Sequence, residues 1–298
     1  VPRNATCQEE PVTIDERPAN DGDLVLVLTA SGKTGRRVAD RLEARGVPIR
    51  RGSRSAEIPF DWNDPATWGP ALDGVRAAYV VYTPDLAVPA APPAIRDFTR
   101  LAARSGVKKL VLLSGRGEEE AQRCEQIVQD SGLDWTIVRA SWFNQNFSEG
   151  AFLDLVAGGE VALPAGGVPE PFIDADDIAD VVVAALTQDG RAGQVYEVTG
   201  PRLLTFAEAV SEIAEAAGRP IRYVQIPHES FVEGLTQAKV PADLIALLTY
   251  LFTTVLDGRN AYLTDGVRRA IGRAPRDFRE YAREVAATGL WNDPQRGT

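Results

Sequence analysis

Residues 24–35 read Leu-Val-Leu-Val-Leu-Thr-Ala-Ser-Gly-Lys-Thr-Gly. An apolar run stops at a cluster of small and hydroxylated residues, and a helical pattern with a basic, polar face runs from Gly32 to about Arg45. This pattern predicts a strand–loop–helix unit whose backbone N–H groups and helix N-terminus receive a pyrophosphate. Such loops commonly read Gly-x-x-Gly-x-x-Gly. Gly32 and Gly35 fill the last two glycine positions, and Thr29 stands at the first. Gly32 lets the backbone approach phosphates, Gly35 lets the helix pack close to the strand, and Ser31, Lys33 and Thr34 add donors. An ordinary turn rich in small residues would read the same way, so the following pattern decides.

That pattern alternates. Strands are expected at 48–53, 77–82, 108–114 and 134–139, and helices at 93–105 and 118–131, with a turn and short helix over 61–72. Strands separated by helical crossovers imply a parallel sheet, and nearly continuous apolar strands imply one covered on both faces. Beyond Arg139 the regularity fades: a short strand at 161–163, a helix at 176–186 and a strand at 194–198. From Thr205 the pattern is mostly helical, at 205–217, 228–238, 241–257 and 275–287, interrupted by a strand at 221–225. The class is α/β: a Rossmann-type doubly wound parallel sheet with a smaller, mostly helical C-terminal lobe. The expected divisions are an arm over 1–22, the sheet domain over 23–200 (149–174 partly contributing to the lobe) and the lobe over 201–298. The lobe should cover the carboxyl ends of the strands, where open α/β sheets bind ligands.

The net charge of −10 argues against nucleic acid or an anionic membrane as partner and suits a neutral or cationic small molecule. No apolar stretch approaches the roughly 20 residues of a membrane helix. The first 22 residues lack the basic and apolar regions of a signal peptide, and two cysteines, Cys7 and Cys124, make no disulfide framework, so a cytoplasmic setting is expected. Cys124 reads as a small core residue. A single histidine, His228, excludes a multi-histidine metal site. Asp174, Asp176, Asp177 and Asp180 head a helix, where carboxylates satisfy free N–H groups, and Glu118–Glu120 reads as a solvated first turn. No metal is expected.

Several runs resemble the NmrA-like atypical short-chain dehydrogenases. They are Gly32–Val38, Asp61–Trp68, Ser131–Arg139, Ser141–Phe147 and Phe172–Asp180. The nearest branch is the festuclavine/agroclavine dehydrogenase type of ergot-alkaloid biosynthesis; triphenylmethane reductase and the NmrA-like quinone reductases are more distant. The resemblance spans about residues 23–291. It implies an NAD(P)-binding oxidoreductase, with Arg54 at the family's phosphate-binding arginine and Asp61 at an acidic position that meets the adenine amine. A helix-capping role fits Asp61 equally. Arg50, Arg51 and Arg54 cluster at the end of the second strand, where arginine suits a 2′-phosphate and an acidic residue would hold a 2′-hydroxyl, so NADPH is expected over NADH.

Tyr82, Thr83 and Ser114 follow or end strands and should line the nicotinamide side; Tyr82 reads equally as a packed edge aromatic and Ser114 as a turn residue. Ketone-reducing short-chain dehydrogenases use Tyr-x-x-x-Lys, in which lysine helps tyrosine give up a proton. None of the seven tyrosines here has lysine four residues later. Relatives often carry Lys or His four residues before the equivalent of Glu125; here that residue is Ala121. With no acid from those positions, Tyr82 and Ser114 are the weak catalytic candidates. The expected chemistry is hydride addition to an electrophile that is already activated: an iminium, a conjugated cation or a quinone-like molecule. Trp142, Phe143, Asn146, Phe172, His228 and Phe231 are expected as substrate contacts, their aromatic walls suiting a flat or cationic ligand. A monomer or homodimer is expected. The alternative function is a redox sensor that binds the nucleotide without turnover.

Overall fold

Apolar runs become strands because the sheet they enter is covered on both faces. The computed structural model describes residues 24–150 and 152–292; the arm expected over 1–22, with Cys7, lies outside them. The first half runs β1 (Val25–Leu28), α1 (Lys33–Ala44), β2 (Ile49–Gly52), α2 (Trp68–Leu72), β3 (Ala77–Val80), α3 (Ala91–Arg104), β4 (Lys109–Gly115), α4 (Glu119–Gln129) and β5 (Asp134–Ala140). Then come α5 (Leu153–Gly158), β6 (Glu160–Leu163), α6 (Ala175–Thr187), β7 (Gln194–Val198), α7 (Phe206–Ala217) and β8 (Arg222–Gln225). Four helices follow: α8 (His228–Gln237), α9 (Ala242–Tyr250), α10 (Gly266–Ile271) and α11 (Phe278–Ala287).

Six strands form one parallel sheet in the order β2-β1-β3-β4-β5-β7. The chain steps outward from β1 to β2 and then reverses to β3 on the other side of β1. This reversal makes the loops after β1 and β3 diverge, and it opens a crevice at the carboxyl ends of the strands. One apolar core lies between the sheet and α1, α6 and α10; a second lies under α2, α3 and α4. Four aromatics of the second core, Phe60, Trp62, Trp68 and Phe98, meet at centroid distances of 5.0–6.3 Å and fix the segment between β2 and β3.

The lobe has its own core, built on Phe147, Phe172, Phe206, Phe252 and Phe278, and a two-stranded parallel sheet of β6 and β8. Two helices escaped the sequence reading: α5, which ends after six residues at Gly159 in the left-handed region, and α10. The lobe is also not continuous from residue 201. At α10 the chain returns to the main sheet, where Val267 and Ala270 join the first core. Gly266 permits this, since a β-carbon there would lie 2.0 Å from the Glu197 carbonyl oxygen. The helix expected over 241–257 is α9 followed by a π-helical turn at Leu251–Val255.

Candidate active site

The β1–α1 loop is tighter than its sequence implies. Thr29 adopts φ 53°, the left-handed conformation for which glycine is the usual residue. Its hydroxyl donates to the Val81 carbonyl at 3.3 Å and lies 3.4 Å from the Thr83 hydroxyl, tying the loop to the end of β3. A β-carbon on Gly35 would sit 2.1 Å from the Thr29 carbonyl oxygen, and one on Gly32 would sit 2.8 Å from the Thr29 methyl. Helix α1 therefore starts hard against β1. Gly32 is its N-cap and supplies no side-chain cap, which leaves first-turn N–H groups without that partner. Glycine at positions 32 and 35 beside an uncapped helix N-terminus fits a pyrophosphate.

A cleft of about 410 Å³ opens there. Thr29, Lys33 and Thr34 line it from the β1–α1 unit, Val81–Leu86 from the loop after β3 and Leu113–Arg116 from the end of β4. Trp142, Phe143 and Asn146 line it beyond β5, and Leu248, Leu251 and Val255 close it from the lobe. Burial lowers the Lys33 pKa. Thr34 is buried and accepts a hydrogen bond from the Tyr79 hydroxyl at 3.1 Å.

Three carboxyl groups on this wall were not among the site residues expected from the sequence. Glu118 is the N-cap of α4 and turns inward, 7% exposed, while Glu119 and Glu120 pair with Arg123 outside. This corrects the reading of Glu118 as solvated. Its carboxyl lies over Gly115, where a β-carbon would meet Glu118 Oε1 at 2.1 Å. Burial and the neighbouring Asp85 carboxyl, to which it is hydrogen bonded, raise its pKa well above the usual range; burial also raises that of Asp85. Neighbouring carboxyl groups of this kind resist being ionised together. The third, Glu170, has no exposed surface, and neither oxygen has a hydrogen-bond partner among the described residues. Burial pushes its pKa up to about 7.

Under the cleft, charges are locked in pairs. Ser114 is buried and donates to Glu125 at 2.6 Å, and Arg139 grips both Glu125 oxygens. Arg116, 2% exposed, donates to Glu197 (2.8 Å), Ser141 (2.9 Å) and the carbonyls of Asn260 (3.1 Å) and Tyr262 (3.3 Å). Ala121, at the place where relatives carry Lys or His, is fully buried.

A family model described as NAD(P)H-binding matches residues 29–189, and one described as the NmrA-like family matches residues 119–282. The chain belongs to the NmrA-like family of NAD(P)H-binding proteins. An NAD(P)H azoreductase of Xenophilus azovorans is 31% identical to this NmrA-like chain over 288 residues, 89% of this chain and 98% of that protein. Agroclavine dehydrogenase of Claviceps fusiformis is 30% identical over 290 residues, 90% of this chain and 99% of that protein. Citrobacter sp. triphenylmethane reductase, solved in complex with NADP(H), superposes with a TM-score of 0.70 at 17% identity, covering 88% of this chain and 99% of that one, a likeness of fold.

Within this NmrA-like fold the anticipated residues separate. Ser31 is exposed at the loop. The three arginines after β2 differ: Arg50 donates to the carbonyls of Pro70, Ala71 and Asp73, and Arg51 pairs with Asp40 and Glu43. Arg54 is exposed and has no ion pair among the described residues. Asp61 accepts from the Asn63 N–H at 2.9 Å, a turn-forming contact that occupies one oxygen. Tyr82 lines the cleft and packs on Trp62 at 5.0 Å, with burial raising its pKa. Trp142, Phe143 and Asn146 reach the cleft, but Phe172, His228 and Phe231 do not line it. Phe172 is buried among Phe147, Phe206 and Phe278, and Phe231 packs behind the wall on Phe252. His228 heads α8 beside Phe231. Their sequence distance from the strand ends gave no means of separating cleft wall from lobe core. The missed carboxyls left faint signals: Gly115 ahead of Glu118, and a lone charge between Pro169 and Pro171.

Proposed function

We propose that the protein is an NADPH-dependent reductase that transfers hydride to a small, already activated electrophile: an iminium, a conjugated cation or a quinone-like molecule. One observation carries the reading. The uncapped α1 loop and the aromatic wall of Trp142, Phe143 and Phe152 line the same cleft, as hydride transfer between a bound nucleotide and a flat acceptor requires. The oxidoreductase names of two relatives, an NAD(P)H azoreductase and an agroclavine dehydrogenase, support it. The bound nucleotide would supply the hydride. Gly32, Gly35 and the α1 N-terminus would hold its pyrophosphate, Lys33 would add positive charge, and Arg54, with its guanidinium uncommitted, would meet a 2′-phosphate. Ser114, Thr83 and Asp61 fit the nicotinamide and adenine ends.

The residues near the reacting end suit an electrophile that needs little help. Ser114 directs its proton to Glu125, and Tyr82 has no lysine to ease ionisation. Adding hydride to a cation quenches charge and needs no acid. A quinone needs a proton, and the Asp85–Glu118 pair, both raised by burial, would supply one from the cleft wall. Steady-state oxidation of NADPH should run at least 100-fold faster in kcat/KM with cyclic imines, triarylmethane cations or quinones than with simple ketones. Efficient turnover of ketones alone would sink the reading, and NADPH binding without turnover of any acceptor would favour a redox sensor.

A further inference from the structure

Glu170 is held at the cleft by its backbone. Its N–H and carbonyl both bond to Leu204 at 2.9 Å, and Pro169 and Pro171 restrict the chain on either side. The side chain has no exposed surface and lines the cleft, yet neither carboxylate oxygen finds a donor among the described residues. Arg116 is near enough to act through charge, but four of its five N–H groups go to Glu197, Ser141, Asn260 and Tyr262 and none bonds to Glu170. A buried acceptor with no partner is costly, and a carboxylate more so. The apolar walls contributed by Leu248, Leu251 and Val255 provide no donor side chain. Trp142 and Phe152, stacked with centroids 6.3 Å apart, are faces against which a flat cation is attracted.

We propose that Glu170 is the counter-ion of the substrate, a carboxylate that binds the positively charged nitrogen of a flat conjugated cation and selects it over neutral acceptors. The proposal rests on the cleft being the substrate site of a reductase. Its binding element, however, can be tested without hydride transfer.

The pH dependence has a fixed sign. Glu170 is largely protonated below about pH 7 and must ionise to receive a cation, so cation binding strengthens as pH rises through that value. Arg116 opposes the raised value and Asp257 adds to it. Lys33 stands on the α1 wall, and the Asp85–Glu118 pair on the loops after β3 and β4.

The test is equilibrium binding of crystal violet, a triarylmethane cation that keeps its charge from pH 6 to pH 8, and of menadione, a neutral quinone, without reductant. The wild type should bind crystal violet about tenfold more tightly at pH 8 than at pH 6. Glu170→Gln should weaken cation binding at pH 8 at least tenfold and flatten the pH profile, without a matching loss for menadione. Three results would each overturn the proposal: no binding of the cation by the wild type, a pH-independent affinity, or equal losses of cation and quinone in the variant. The wild-type pH profile serves even if the variant folds poorly. If Glu170-dependent binding holds and NADPH is never oxidised, the reductase reading fails alone. If quinones are reduced without cation preference, the counter-ion role fails alone.

Discussion

Thr29 carries both a backbone strain and its compensation. A β-branched residue at φ 53° costs about 1–2 kcal/mol, and the hydroxyl bond to the Val81 carbonyl returns about 1 kcal/mol. Thr29→Val keeps the strain and loses the bond, so urea denaturation should show a loss of about 1 kcal/mol. Thr29→Gly loses the bond but relieves the strain and should stay within about 1 kcal/mol of wild type; a glycine variant much weaker than the valine one would contradict this account. Glu170 gives a second expectation. Its folded pKa, near 7, is raised above the ordinary 4.5, so the folded state favours the acid form. That contribution is complete below about pH 4.5 and lost as pH rises through 7, amounting to at most about 3 kcal/mol. Between pH 5 and pH 8 the ligand-free wild type should lose more stability than Glu170→Gln, since the raised Asp85–Glu118 pair declines in both. Parallel profiles would count against it. Gly32 and Gly35 were legible because close approach of backbones leaves no substitute for glycine. Glu118 was not, because an acidic triplet at a helix start reads identically whether its first member faces water or folds inward.

Between elements, α1 and α6 are joined by charge as well as by the apolar core. Arg41 lies between Asp176 (2.6 Å) and Asp180 (2.8 Å), Arg37 joins Asp176 to Glu149, and Arg273 reaches Asp177 and Asp180. Asp174 caps α6 at the Asp176 N–H. Asp174, Asp176, Asp177 and Asp180 thus have arginine or backbone partners at the start of α6. Arg41→Ala removes the arginine between two partly buried carboxylates, leaving Asp176 with Arg37 and Asp180 with Arg273, and should cost about 1–3 kcal/mol by urea denaturation. Recovery in a variant that also carries Asp180→Asn would show that like charge is the cause. Periodicity found α1, α3 and α4, since each buries one stripe on the sheet. It missed α5 and α10, whose six residues are too few to establish a stripe. The π-helical turn after α9 likewise follows from packing over the cleft, not from composition.

At the scale of the molecule, the sheet order, with its reversal between β1 and β3, is what makes one cleft out of loops far apart in sequence. A ligand that binds only the folded chain adds stability, about 2.7 kcal/mol at 100 times its Kd. NADPH at that ratio should therefore raise Tm by roughly 4–8 °C. At equal concentrations NADH should raise it less, and Arg54→Ala should shrink the NADPH shift while leaving the NADH shift in place. Equal shifts for both nucleotides in the wild type would remove Arg54 from cofactor choice. The sequence by itself determined the strand–helix alternation, the glycine loop and the family, because these depend on local periodicity and on sterics between near neighbours. Only the tertiary structure decided which of three arginines has no ion pair among the described residues, which aromatics form the cleft wall instead of the lobe core, and that Asp85, Glu118 and Glu170 face inward. Those outcomes depend on burial and on partners 20 to 140 residues away, and no local pattern in a single chain encodes them.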